Sequence, residues 1–243
     1  MALSRRGLAV FVAALATAAL TASAGLWQLD RAAQKNRLQA LLASQRQLPE
    51  LTLPGLASDA PAAAAQWQRR VVLEGQWQAA RTVYLDNRPM EGRVGFIAIT
   101  PLRLADGSAV AVQRGWLPRD QLDRTRIVAA PPPAGTVQVQ GRIAPPPSRL
   151  FELGAAASGA IRQNLDLPGF ALETGLRLRP FTVVQEEGAV ASNDGLLRHW
   201  PAPAVDVSKH YGYAFQWFAM SALAIGLYAW FQLIRPRLPR RPR

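Results

Sequence analysis

The chain has 243 residues, enough for one sizeable domain with accessories. It contains no cysteine, which excludes disulfides, thiolate metal sites, iron–sulfur ligation and cysteine nucleophiles. The net charge of +12 invites a nucleic-acid reading that the distribution opposes: seven arginines sit in the two short tails, and the charges between them are mixed rather than massed. No stretch interleaves basic and aromatic residues as a single-strand binding groove would, so no nucleic-acid partner is expected. Only Lys35 and Lys209 are lysines, against 26 arginines, a bias of composition to which no function attaches.

Two runs stand out for apolarity. Gly7 to Leu29 and Tyr213 to Ile234 are both uncharged and both slightly over 20 residues, the length that crosses a hydrocarbon core of about 30 Å. Trp27 lies near the end of the first, and Tyr213, Trp217, Tyr228 and Trp230 lie in the second, where indole and phenol rings suit a headgroup boundary. Both runs are expected to be transmembrane helices in a lipid bilayer. The first has a second reading as a secretory signal cleaved at Ala24–Gly25, within the small-residue stretch ASAG. Its length favours an uncleaved anchor.

Arg5 and Arg6 at one end, and Arg235, Arg237, Arg240, Arg241 and Arg243 at the other, place both termini in the cytoplasm, because short basic flanks resist translocation. Arg31, Lys35 and Arg37 pull weakly the other way. The expected layout is a tail over 1–6, a span over 7–29, an outside domain over 30–212, a second span over 213–234 and a basic tail over 235–243. In a bacterium this is a multi-pass inner-membrane protein with a periplasmic domain.

Along the loop, Asp30 to Ser44 has no helix breaker and extends the first helix. The stretch LPGLASDAPAAAA, Leu53 to Ala65, reads as a linker or irregular loop. QRRVVLEGQW (Gln68 to Trp77) and TVYLDNRP (Thr82 to Pro89) have strand character, the second closing on a turn signal at Asn87–Pro89. Gly95 to Leu104 and Ser108 to Pro118 flank Ala105-Asp106-Gly107 and read as a hairpin. Gly135 to Ile143 alternates between two proline triplets. Asn164 to Leu176 holds one short helix, and Arg179 to Glu187 is a last strand. The expected fold class is a membrane protein with two transmembrane helices flanking a mainly antiparallel β (α+β) extracytoplasmic domain.

The inventory of catalytic motifs is empty: no G-x-S-x-G, P-loop, dinucleotide fingerprint or H-E-x-x-H. His199 lies in a polar, proline-rich segment and reads as a satisfied or solvent-facing histidine. Glu186–Glu187 reads as a solvated pair. No catalytic residue is assigned and no enzyme is specified. His210 remains, immediately before the second apolar run and beside Tyr211, Tyr213, Phe215 and Trp217. A neutral imidazole there suits either a haem axial ligand or a polar anchor at headgroup level.

Three stretches, LWQLDRAAQKNRL (from Leu26), VYLDNRPMEGRVGFIAITPLRLADGSAVAVQRGWLPRD (from Val83) and KHYGYAFQWFAMSALAIGLYAW (from Lys209), resemble the surfeit locus protein family of cytochrome c oxidase assembly factors. The matching residues are Gly25, Trp27, Gln28, Leu29 and Arg31; then Gly95, Phe96, Thr100, Pro101, Leu102, Arg114, Gly115, Trp116 and Pro118; then His210, Tyr213, Ala214, Gln216 and Trp217. Ser208–Lys209 stands where the family often has an Asn-Asn pair, and Gln113 where Asn is common. The resemblance implies an assembly factor that receives haem a, works with the haem a synthesis machinery and assists delivery to oxidase subunit I. It points to His210 as candidate axial ligand to the haem iron, with Tyr213 and Trp217 lining the site. A haem-independent scaffold for a subunit I intermediate is the other reading it allows. Arg31 and Arg114 come into view as partners of propionates or of structural carboxylates, with the structural role preferred for Arg114. Gly95 and Gly115 read as residues that shape the backbone.

Overall fold

The computed structural model describes residues 5–123, 125–151, 159–187, 194–200 and 207–237. Arg240, Arg241 and Arg243 of the basic tail lie outside them. The chain divides into a helical unit, Met1–Ala40 with Pro203–Arg243, and a β unit, Leu41–Ala202.

In the helical unit, α1 (Arg5–Gln47) is one continuous helix, so the expected extension past the first apolar run is present. No proline interrupts it before Pro49. The second helix of this unit, α4 (Ser208–Tyr228), continues into a π-helical turn at Ala229–Ile234 and a 3-10 turn at Arg235–Arg237. It begins five residues before the apolar run does. The two helices run antiparallel: Phe11 meets Tyr228 with ring centroids 5.6 Å apart, and Ser221 Oγ donates to the Ala18 carbonyl at 2.9 Å. Further along, a Cβ on Gly25 would lie 2.8 Å from the Phe218 ring. The buried positions are Ala18, Gly25 and Ala32 on α1, and Ala214 and Ser221 on α4. Small residues spaced by seven let two backbones approach along a seam. Outside that seam the large apolar side chains are exposed, Leu20 at 72% and Phe215 at 74% among them. Both helices are long and apolar enough to cross a membrane.

Among the described residues the β unit has seven strands, β1 (Arg70–Trp77), β2 (Val83–Met90), β3 (Arg93–Leu104), β4 (Ala109–Pro118), β5 (Thr136–Ala144), β6 (Ile161–Arg162) and β7 (Leu178–Gln185). They pair in the order β1-β5-β7-β4-β3-β2-β6, and β1 also pairs with β3. That additional pairing, Gly75–Trp77 against Leu102–Leu104, turns the five strands β1, β5, β7, β4 and β3 into a closed circuit. Side chains alternate along each strand, so one set points into the circuit. Val71 and Leu73, Leu102 and Leu104, Val110 and Val112, Val139 and Ile143, Phe181 and Val183 form its core.

The sheet is mixed. Five pairings are antiparallel as expected, but β4–β7 and β2–β6 are parallel. Strand β6 has two residues, too few for any alternation to announce it. The expected β3–β4 hairpin is present and turns at Gly107 with φ +75°. The turn expected at Asn87–Pro89 lies elsewhere. Asn87, at φ 60°, is a bulge between Leu85 and Arg88, and the strand resumes to Met90. Pro89 is accepted there because the described part of β6 reaches only Tyr84 and Leu85 on that side of β2, so no ladder needs its missing N–H. The chain reverses instead at Glu91–Gly92, with φ of 51° and 75°, the paired positive values of a tight hairpin turn.

Nor is Leu53–Ala65 a loose linker. It folds as a 3-10 turn at Leu53–Gly55 and a short helix, α2 (Ala60–Ala65), capped by Asp59, which accepts from the Ala62 N–H at 2.9 Å. Gln66 clamps it by donating to the Gly55 carbonyl and accepting from the Ala57 N–H. Leu56, Ala57 and Ala63 are buried in the core of the circuit. The other expected helix, α3 (Leu167–Thr174), is capped by Asp166 at one end and by Gly175 in the left-handed region at the other. Its Leu167 and Phe170 cover the outer face of β2 and β3 with Val83, Leu85 and Ile99.

The Arg-Gly-Trp stretch of β4 is shaped by close approach, not by φ. Ala98 faces Gly115 and Ile99 faces Gln113, leaving Arg114 as the extra residue of a bulge. A Cβ at Gly115 would lie 2.7 Å from the Leu196 Cβ. At Gly95 it would lie 2.2 Å from the Leu117 carbonyl and 2.4 Å from the Trp116 ring, whose Nε1 donates to the Arg88 carbonyl at 2.7 Å. Backbone cannot retreat from such a clash, so Gly95→Ala should destabilise the β unit by on the order of 3 kcal/mol in urea unfolding followed by near-ultraviolet circular dichroism.

Four carboxylates tie this unit to acid sensitivity: Asp120 and Asp123, held low by hydrogen bonds from their own loop, and Asp106 and Glu173. The Ser108 hydroxyl, then the Arg179 guanidinium, hold Asp106 below its usual range, and Arg162 does the same for Glu173. A pKa depressed in the folded state adds stability that is complete above the ordinary carboxylate value and is lost as pH falls through the depressed one. Stability should therefore be flat above about pH 5 and decline below about pH 4, with a shallower acid limb in Glu173→Gln.

Candidate functional site

Helix α4 opens at Ser208, which places His210 in its first turn, with the backbone N–H bonded to the Val207 carbonyl at 3.1 Å. Its ring is half-buried. Nδ1 lies 2.7 Å from Oε1 of Gln28 on α1. An amide oxygen only accepts, so Nδ1 is the protonated nitrogen of the neutral ring and Nε2 carries the lone pair. Among the described residues, Gln28 is the ring's one hydrogen-bond partner.

The seam face of α4 carries His210, Ala214, Trp217 and Ser221, which recur at helical spacing. Trp217 is half-buried there, whereas Tyr213 is 52% exposed on the flank. The other aromatics do not gather round the ring as their nearness in sequence suggests. The Tyr211 hydroxyl accepts from Asn36 Nδ2 at 3.3 Å, and Phe215 is exposed.

The remaining candidates have other occupations. Arg31 donates to Gln34 at 3.1 Å and lies over Trp27 at 5.6 Å, and among the described residues no carboxylate pairs with it. Arg114, in the β unit, is buried and paired with Asp194 at 3.1 Å, the structural role preferred for it. His199 is exposed beside Glu91 at 3.0 Å. Glu186 and Glu187 are both solvated, with side chains 40% and 47% exposed, and each also faces an arginine, Arg142 at 2.8 Å and Arg198 at 3.8 Å. No group of three metal-ligating side chains occurs among the described residues.

What the arrangement offers chemically is a single imidazole of fixed tautomer with one nitrogen available. Gln28 is the residue that reasoning along the chain did not assign. Nothing in local pattern links it to a histidine 182 positions away, and its place in the Trp-Gln-Leu motif was the one pointer to it.

Residues 15–222 match the family described as SURF1 family. A SURF1-like protein of Rickettsia felis (strain ATCC VR-1525 / URRWXCal2) is 25% identical over 226 residues, covering 88% of this chain and 92% of the relative. One of Rickettsia bellii (strain RML369-C) is 23% identical over 210 residues, covering 84% and 83%. The match spans α1 from Leu15 onward, the whole strand circuit and the first two-thirds of α4, and the chain belongs to the SURF1 family, which is associated with cytochrome c oxidase assembly.

Proposed function

We propose that this protein is a membrane-anchored, non-enzymatic assembly factor for haem–copper cytochrome c oxidase, taking haem a on His210 and assisting its delivery to subunit I. The observation that carries the reading is the Gln28–His210 hydrogen bond, which leaves Nε2 with its lone pair free of any described partner. Family membership supports the assembly role. The exposed apolar surfaces of α1 and α4 support two spans, and the basic flanks support cytoplasmic termini with the β unit in the periplasm.

The donor set fits one axial position. Haem iron accepts a neutral imidazole nitrogen, and an aromatic-rich helix pair gives a greasy macrocycle apolar surface. The chain's own contributions are then distinct. His210 offers Nε2, Gln28 holds Nδ1–H and so fixes both tautomer and ring direction, and Trp217 stands on the same helix face. Tyr213, on the exposed flank, would offer its ring to the macrocycle or to lipid. A single protein ligand suits a carrier that must release its cargo.

Purified in detergent from a host that makes haem a, the parent should show a haem a absorbance spectrum that His210→Ala lacks at equal protein yield. No pigment in either, with oxidase assembly still dependent on the protein, would leave the haem-independent scaffold as the function. Gln28→Leu should lower haem occupancy by about ten- to a hundredfold, while Gln28→Glu, which keeps an acceptor, should retain it. Histidine nitrogen NMR of the haem-free protein should show Nδ1–H at His210 in the parent and a tautomer mixture in Gln28→Leu.

A further inference from the structure

The β unit holds a cationic cavity that the haem reading leaves unused. Arg114, displaced outward by the bulge in β4, has a side chain only 4% exposed. Among the described residues its single hydrogen bond runs from Nη2 to Asp194 Oδ2 at 3.1 Å. That carboxylate is already engaged: Arg198 donates to Oδ1 at 3.2 Å and to Oδ2 at 2.6 Å, with its own side chain 1% exposed. Glu187 approaches Arg198 at 3.8 Å, but from a half-exposed position. Two buried guanidinium groups thus share one buried carboxylate, and Arg114 has the lesser part.

A buried charge is costly unless it is paired. Burial already pushes the Arg114 guanidinium below its ordinary pKa, and Asp194 only partly offsets that. Among the described residues the remaining N–H groups of Arg114 have no hydrogen-bond acceptor, although a guanidinium presents five donors in a planar fork. The same guanidinium lies 5.4 Å over the Trp77 ring. Arg114 and Trp77 line a cavity of about 430 Å³ with Pro131, Val137, Gln185 and Asp194. Gln185 Oε1 is buried with no hydrogen-bond partner, an acceptor in want of a donor. A volume in this range accommodates a small ligand.

The geometry points to a carboxylate-binding pocket in the β unit, in which the free N–H groups of Arg114 take the carboxylate of an N-acylated amino acid and Gln185 Oε1 takes its amide N–H. The chemistry is shared by a free acylamino acid and by the C-terminus of a peptide. Trp77 and the Val137 and Pro131 walls favour an apolar side chain next to the carboxylate. The pocket needs no bound haem, so it stands or falls apart from His210.

The test is a titration of the full-length protein in detergent with N-acetylphenylalanine and, separately, with its uncharged amide, read from the NMR signals of the Trp77 indole and the Arg114 Nε–H. The acid should saturate these shifts and the amide should bind at least tenfold more weakly. Arg114→Lys should lose the acid's advantage, since a point charge cannot replace the fork. Gln185→Leu, at the edge of the cavity, should weaken the acid severalfold with an unchanged melting curve, which guards against an Arg114 variant that fails to fold. Tighter binding of acetyl-Ala-Ala-Phe than of N-acetylphenylalanine would identify a peptide terminus, and equal binding a free acylamino acid. Absence of saturable shifts in the folded parent, or equal binding of acid and amide, would overturn the proposal and leave Arg114 as a structural partner of Asp194.

Discussion

Strand β4 is buried on both faces along nearly its whole length, and the β unit is organised by the need to cover it. Val110 and Val112 point into the strand circuit, while Ala111 joins the layer beneath α3. Both edges are taken as well, antiparallel by β3 and parallel by β7. A strand enclosed this way can carry polar groups only where each finds a partner. Gln113 gives its amide to the Thr182 hydroxyl at 2.8 Å, and Arg114 leaves the ladder through a bulge to reach Asp194. The Gly115–Trp116 pair follows from the same enclosure. The glycine lets Leu196 approach, and the indole fills the space above Gly95 and spends its N–H on a carbonyl. The motif that looks like a signature in sequence is thus a packing solution, with one guanidinium left at its edge.

The helical unit solves a different problem. Helices that expose Leu, Phe and Ile in quantity cannot gain from burying those residues against each other when the surroundings are equally apolar. Close approach and a few polar contacts remain. Ala18, Gly25, Ala32, Ala214 and Ser221 give the first, and the Ser221–Ala18 and Gln28–His210 bonds give the second. The contact that orients the candidate haem ligand is therefore also one of those that hold α1 beside α4. Gln28 belongs at once to the fold and to the chemistry read from it.

Much of the β unit was legible because alternation and turn chemistry are local. The Asp-Gly turn, the short helix within Asn164–Leu176 and the strands around Val71, Val112 and Val183 each announce themselves from neighbouring residues. What was not legible depends on partners far along the chain. An alanine-rich segment has no periodicity to display, so the burial of Ala57 and Ala63 could not be seen before β1 and β5 were in place. Asn-Arg-Pro carries the composition of a turn, and only pairing with β3 makes it a bulge. Parallel pairing of β4 with β7 joins strands some 70 residues apart, as the Gln113–Thr182 bond shows. Gln28 and His210 are farther apart still, and only the antiparallel course of the two helices joins them.

The circuit is closed by just three residue pairs, Gly75–Trp77 against Leu102–Leu104, whereas β1 and β5 pair over seven. The partners in this joint lie nearer in sequence than those of the β1–β5 and β4–β7 pairings, so the weakness of the joint is its few ladder pairs and not its loop-closure cost. With the fewest ladder pairs in the circuit, this seam is the part that should breathe first. Its backbone amides belong to the fast-exchanging class, while those of β4 exchange only when the whole unit unfolds.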